Sequence, residues 1–297
     1  MHYSLKTKMA LLITVSLWAS AFVGIRAGLH GYTPGGLALL RFLIASVCMW
    51  IACIELPERN QIARGDKALL LLIGMLGIGF YHIALNYGEI SVPSGTASFI
   101  ISLSPIVTLV SAILFLRESV HINMLIGMII SVVGVGLIML DKTNQLTFHA
   151  GVCYVLAASF IGGIYSVLQK PFLQKYHAIE VTAYIIWGAT FLLFIYTPSM
   201  LHDAQIASWR ATLSVIYLGV FPAAIGYITW SYCLKEIPAS EAANFLYFMP
   251  LIATILGWMW LHEIPTWLSL LGGLITLFGV WLVSHTKKGK NNESTTG

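Results

Sequence analysis

The sequence predicts an all-α integral membrane protein: ten transmembrane helices in two inverted five-helix repeats around a central cavity. Three observations carry this. Of 297 residues, 58% are hydrophobic and only 9% charged, and the mean hydropathy is +0.84; a soluble chain carries about 25% charged residues. Uncharged apolar runs of about 20 residues, the length that crosses the hydrocarbon core, recur along the chain. Finally, PSGTASFIISLSPIVTLVSAILFLRE at 93–118 and PASEAANFLYFMPLIATILGWMWLHE at 238–263 place Pro, Pro and Glu at the same points, 145 residues apart.

The elements follow in order. Span 1 covers 9–28, after Lys6 and Lys8. Ala19-Ser20-Ala21 has the look of a signal-peptidase site, but the apolar run continues past it and an even helix count needs the span, so it is retained. Span 2 covers 34–54, opened by Pro34 and closed by Glu55, and span 3 covers 68–87, after a polar segment. Spans 4 and 5 cover 94–116 and 121–140. Spans 6 to 8 cover 150–169, 180–200 and 211–234, and spans 9 and 10 cover 239–261 and 266–284. Connections are short, which leaves no room for a soluble domain. The halves divide as 1–145 and 146–286, followed by a basic cytoplasmic tail, 287–297. Cys48, Cys53, Cys153 and Cys233 lie in or beside apolar runs without metal-ligand or disulfide spacing and read as reduced packing residues. No cofactor, metal or nucleic-acid signature is present.

Orientation follows from Lys and Arg, which accumulate on the cytoplasmic side. With the N-terminus inside, 12 of the 16 fall on the inner side. Arg26, Lys142 and Arg210 fall outside, and Arg41 lies within a span. Both termini are then cytoplasmic, in a bacterial inner membrane. The offset of 145 also pairs Tyr87 with Tyr232, Ala97 with Ala242, Leu116 with Leu261, Leu125 with Leu270, Gly127 with Gly272, Gly134 with Gly279 and Val135 with Val280. Five spans per half is odd, so the halves insert upside down relative to each other. Inverted repeats of this kind build secondary transporters, whose site lies near the midplane between the repeats.

The stretches SLWASAFVGIRAGL, LALLRFLIA, ALNYGEISVPSGTASFIISLSPIVTLVSAILFLRES and LIGMIISVVGVGLIML resemble the first EamA domain of the drug/metabolite transporter superfamily. PASEAANFLYFMPLIATILGWMWLHE and LLGGLITLFGVWLV resemble the second. The resemblance covers nearly the whole chain. It implies ten helices around a cavity with spans 5 and 10 at the periphery, and export of amino acids, their derivatives, nucleosides or other small metabolites. Family members that expel lipophilic cations commonly use a buried carboxylate. The sequence places no Asp or Glu deep in a span, which favours a zwitterionic or anionic solute such as an amino acid over a cationic drug. A passive pore or assembly protein is the reading outside the transporter class. An embedded enzyme would need a nucleophile–base pair or paired carboxylates, and the sequence offers neither.

Candidate site residues follow from membrane physics. Pro105 and Pro250, matched by the offset, and Pro222 each remove a helix hydrogen bond. Freed carbonyls at depth need protein partners or a wet cavity, so 105 and 250 read as hinges. Ser94, Ser98 and Ser102 share a face of span 4, and Asn244 and Tyr247 a face of span 9; polar faces should look inward. Arg41 lies roughly 10 Å into span 2 at 1.5 Å per residue. An intramembrane Arg needs a partner, either Glu89 in a structural pair or a solute carboxylate. His82 and Asn86 stand one turn apart near the outer end of span 3, and His82 is either a packing residue or a coupler of solute movement to protons. Of the abundant aromatics, several near span ends read as interfacial belts, while Trp18 and Tyr165, mid-span in helices 1 and 6, are cavity candidates. Glycines 127, 134, 272 and 279 predict close helix packing or a homodimer face.

Overall fold

A computed structural model of the chain describes residues 3–56, 61–92, 94–118, 122–142, 150–261 and 267–284. Pro93, Arg59, Glu263 and the tail 287–297 lie outside them, as do the side chains of Lys142, Trp258 and Trp260. Among the described residues the structure is wholly helical.

The first half contains α1 (Leu5–Gly28), α2 (Pro34–Ile54), α3 (Arg64–Ile73), α4 (Phe80–Gly88), α5 (Ser94–Ile101), α6 (Ser104–Leu116) and α7 (Ile122–Lys142). The second contains α8 (Ala150–Leu168), α9 (Lys170–Lys175), α10 (Ala178–Leu193), α11 (Thr197–Ile206), α12 (Trp209–Leu218), α13 (Gly226–Glu236), α14 (Ala239–Asn244), α15 (Met249–Leu261) and α16 (Trp267–Ser284). Several run on through a distorted turn, and seven of the resulting helices are long and apolar enough to cross a membrane. Segments 122–142, 239–261 and 267–284 are helical as well, with shorter apolar stretches at Ile122–Gly134 and Leu270–Leu282. Large apolar side chains such as Phe115, Phe160, Phe191 and Leu274 stand exposed, as a lipid-facing surface requires.

Helix starts follow from local chemistry. Ser4 and Thr33 accept backbone N–H bonds as N-caps of α1 and α2, and Pro34 occupies the first turn of α2. Pro105 and Pro250 likewise sit in first turns, of α6 and α15, each after a break: a turn at Ser102–Leu103, and a 3₁₀ segment Phe245–Phe248. A first turn has no partner for its N–H groups, so proline is cheap there.

Contacts between the two halves come in reciprocal pairs, as a two-fold arrangement would give. α7 packs along α16 so closely that a Cβ at Gly134 would come 2.5 Å from the Thr276 nitrogen and 2.6 Å from the Gly272 carbonyl. A Cβ at Gly279 would meet Ser131 and, at 2.5 Å, the Gly127 carbonyl. These are the same contacts with the repeats exchanged, the reciprocity of an isologous interface. On the axis itself Ser131 Oγ donates to the Thr276 carbonyl at 3.4 Å and Thr276 Oγ1 to the Ser131 carbonyl at 3.5 Å. The four glycines therefore serve packing within the chain. Two π-helical turns, Gly74–Gly79 and Gly219–Ile225, begin 145 residues apart, the second around Pro222.

Glu118 explains the Glu that ends the repeated stretch. Its carboxylate accepts from the Ala239 N–H at 2.8 Å, the Ser240 N–H at 3.2 Å and the Ser240 hydroxyl at 2.6 Å. A carboxylate from the end of one half's helix thus caps the start of the matching helix in the other. Nearby, Tyr3 donates to Glu241 at 3.0 Å. Burial first, and then the carboxylate, push the Tyr3 phenol up, so it remains a donor.

Candidate functional site: a cavity on the two-fold axis

The π-turns place the site. Each delivers the next residues of its helix toward the axis, and there His82 Nε2 and the Tyr227 hydroxyl meet at 3.0 Å. The two are repeat mates, so this hydrogen bond lies across the axis. On the other side of the ring, Arg41 brings a guanidinium nitrogen to 3.5 Å from His82 Nδ1. Arginine only donates, so Nδ1 accepts and the ring proton sits on Nε2, pointing at the Tyr227 oxygen. His82 is neutral in this arrangement, because a second proton on Nδ1 would face the guanidinium.

These groups line a cavity of about 60 Å³ between the halves. α1 contributes Trp18, Ala21 and Phe22, and α8 contributes Gly162, Tyr165 and Ser166. Ile101 and Ser104 on the first half face their repeat mates Leu246 and Met249 on the second. Trp18 donates from Nε1 to the Pro222 carbonyl at 3.1 Å, so a carbonyl of the π-turn is satisfied by the cavity wall. Aromatic rings surround the polar pair: Tyr227 lies 5.2 Å from Trp18 and 6.1 Å from Tyr165 between centroids, and Phe42 packs 4.8 Å from His82. Such a cavity is smaller than the ~150 Å³ void that admits benzene in a protein core. It has room for a few waters.

Arg41 is 1% exposed, and its Nε has no hydrogen-bond partner. The Glu89 pairing considered from sequence is not formed, since both Glu89 carboxyl oxygens are buried without a hydrogen-bond partner. Glu89 stands at a helix end, as the sequence places it, and yet its carboxyl is buried in the protein. It lies just past Gly88, the last residue of α4, and is 0% exposed. Arg26 and Arg41 are the charges close enough to act on it.

Of the sequence-predicted residues, Arg41, Trp18, His82 and Tyr165 meet at this cavity. Ser98, Ser102, Asn244 and Tyr247 are buried but off its wall. Ser98 donates to the Gly95 carbonyl at 2.7 Å, Ser102 to the Ser98 carbonyl at 2.9 Å, and Asn244 to the Ser240 carbonyl at 3.2 Å. Tyr247 packs with Leu109, Met124, Met128 and Val280. Tyr227, Ser104 and Ser166 were missed. For Tyr227 the repeat offset from His82 was the available signal.

The symmetric helical fold and its internal cavity define the class, a multi-span membrane transporter. The chain belongs to the EamA-like transporter family, whose model matches residues 6–140 and again 149–285. It is 39% identical over 281 residues to the uncharacterized transporter YdfC of Bacillus subtilis, covering 95% of this chain and 91% of that one. It is 35% identical to a probable terminal-alkyne amino-acid exporter of Streptantibioticus cattleyicolor, covering 98% and 97%. Identity to a probable amino-acid metabolite efflux pump of Escherichia coli is 24%, covering 91% and 92%. A solved crystal structure shares the fold at a TM-score of 0.76 and 18% identity, over 94% of this chain and 96% of the other.

Proposed function

We propose that the protein is a secondary transporter of ten spans in two inverted halves, with both termini cytoplasmic. It exports small zwitterionic or anionic metabolites, amino acids and their derivatives first, by alternating access, with Pro105 and Pro250 at the hinges. The observation that carries the reading is Arg41: a buried guanidinium at the cavity, bonded to an imidazole and to no carboxylate. A cation in hydrocarbon costs at least ~2.5 kcal/mol, a cost that binding a solute carboxylate would offset. The unpartnered Asn86 Oδ1, one turn beyond His82 on α4, and Glu89, two turns beyond at its cap, offer acceptors for an ammonium group. That pairing favours a zwitterion. The names of the Streptantibioticus and Escherichia relatives support the same class. A carboxylate that draws Arg41 away would free His82 Nδ1 to take a proton, which links solute binding to protons.

The test is an export screen. Cells overexpressing the chain are loaded with amino-acid dipeptides and metabolite pools, and the medium is profiled by mass spectrometry beside an Arg41→Ala control. A few carboxylate solutes enriched only with the intact protein are expected; enrichment of cations alone, or equal enrichment with the variant, overturns the reading. Counterflow in proteoliposomes separates a carrier from a passive pore, which shows none.

A further inference from the structure

The same contact occurs twice, once at each end of the cavity. On α1, Trp18 and Phe22 line the cavity four residues apart; on α8, Gly162 and Ser166 do the same. Residues four apart lie on one helix face. One turn further along these faces stand Arg26 and Lys170. Each α8-side residue lies 144 positions after its α1 counterpart, so Arg26 and Lys170 are repeat mates like the wall residues below them. Arg26 donates to the main-chain carbonyl of Glu89, the residue that caps α4, at 2.8 Å. Lys170 donates to the main-chain carbonyls of Leu234 at 2.8 Å and Ile237 at 2.5 Å, in the last turn and cap of α13. Glu89 and Leu234 are themselves mates, 145 apart.

The acceptors are suited to this use. The last carbonyls of a helix have no partner within it and carry its partial negative charge, so a Lys or Arg is bound there as a counterion. The bond is charge-assisted and made to a backbone carbonyl rather than to a carboxylate. The latches tie α1 to α4, and α9, which directly follows α8, to α13; α1, α4, α8 and α13 carry the cavity wall. Parting them opens the wall at that end only.

We propose that Arg26 and Lys170 are the two gate residues of the transport cycle: Arg26 closes the mouth at Glu89, and Lys170 closes the mouth at Leu234. This rests on the transporter reading above. The two-fold axis exchanges the latches, so a state with one open and the other closed becomes its counterpart when the halves swap roles, the geometric requirement of alternating access. With both latches made, the cavity has the small volume described.

The test reads sidedness and needs no solute. In the full chain with the four native cysteines replaced by serine, Ser104→Cys supplies a thiol on the cavity wall. A membrane-impermeant maleimide is applied to right-side-out and to inverted vesicles. Arg26→Met should raise labelling from the Glu89 side about tenfold, with no rise from the other; Lys170→Met should do the mirror image. Arg26→Lys and Lys170→Arg keep a cation and should label at the parent rate. Unchanged labelling in both Met variants, or a rise on the same side in both, overturns the proposal. Should the Met variants fail to fold, Arg26→Cys with Glu89→Cys serves instead. Oxidation should halt labelling of Ser104→Cys from the Glu89 side and reduction restore it; labelling insensitive to the cross-link overturns the gate. Failure of the export screen with side-specific labelling intact would overturn the solute class alone.

Discussion

The two halves share a scaffold and differ in chemistry. Gly74 and Gly219, mates at the start of the π-turns, each pack on a backbone carbonyl of the helix opposite: Ile185 for Gly74, Arg41 for Gly219. Ile185 is therefore the counterpart of Arg41. Likewise Tyr227 answers His82, and Leu234 answers Glu89. At 41 and 89 the first half carries an ionisable side chain where the second carries an aliphatic one, and at 82 it carries an imidazole where the second carries a phenol. In the proposed transport cycle motion is symmetric, because each half takes the other's role as the cavity changes sides. Chemistry need then be present once, because a site between the halves is reached from both sides.

Arg41→Ala breaks this comparison most strongly. Export of carboxylate solutes should fall at least a hundredfold, while Ile185→Ala at the mate position leaves solute selectivity unchanged; mass-spectrometric flux with a detergent-solubilised folding control checks both. Next come Gly134→Ala and Gly279→Ala, which drive a Cβ against opposing backbone. Each should destabilise by about 3 kcal/mol, and equally, since the axis exchanges them; unequal loss in thermal unfolding would argue against the two-fold contact. Glu118→Ala should cost about 2 kcal/mol by uncapping α14, read as a lower unfolding temperature with solute preference retained. The smallest effect belongs to the bond across the axis. Tyr227→Phe should cost about 1 kcal/mol and change flux a few-fold, whereas His82→Gln should flatten the pH dependence of transport; an unchanged pH profile removes His82 from proton coupling.

Much of the scaffold was legible because it is written as repetition. The offset that pairs the prolines also pairs Ser131 with Thr276 and His82 with Tyr227, so the axis contacts were implicit in the sequence. Arg41 stood out because a charge in an apolar run has few explanations. What escaped was whatever tertiary packing decides. A glycine-rich run such as Gly74–Gly79 does not announce a π-turn. Glu89 sits at a helix end, where sequence suggests water, and only tertiary packing buries the carboxyl. Ser98 and Ser102 were read as facing the cavity because polar groups avoid lipid, yet a hydroxyl can also satisfy itself on the carbonyl three or four residues back. The latch pair was hidden by a shift: the offset is 144 in the first helices of each half and 145 later, so a single register misses Arg26 and Lys170.

The seam between α7 and α16 bears on how the protein is made. Residue 142 leaves the ribosome some 125 residues before α16 begins, roughly 6–25 s at the usual pace of synthesis. Through that interval the small-residue stripe of Gly127, Ser131 and Gly134 waits in the bilayer for a helix not yet translated. A nascent chain interrupted in the second half would retain that stripe uncovered. A helix made that much later is thus the one that completes the first half.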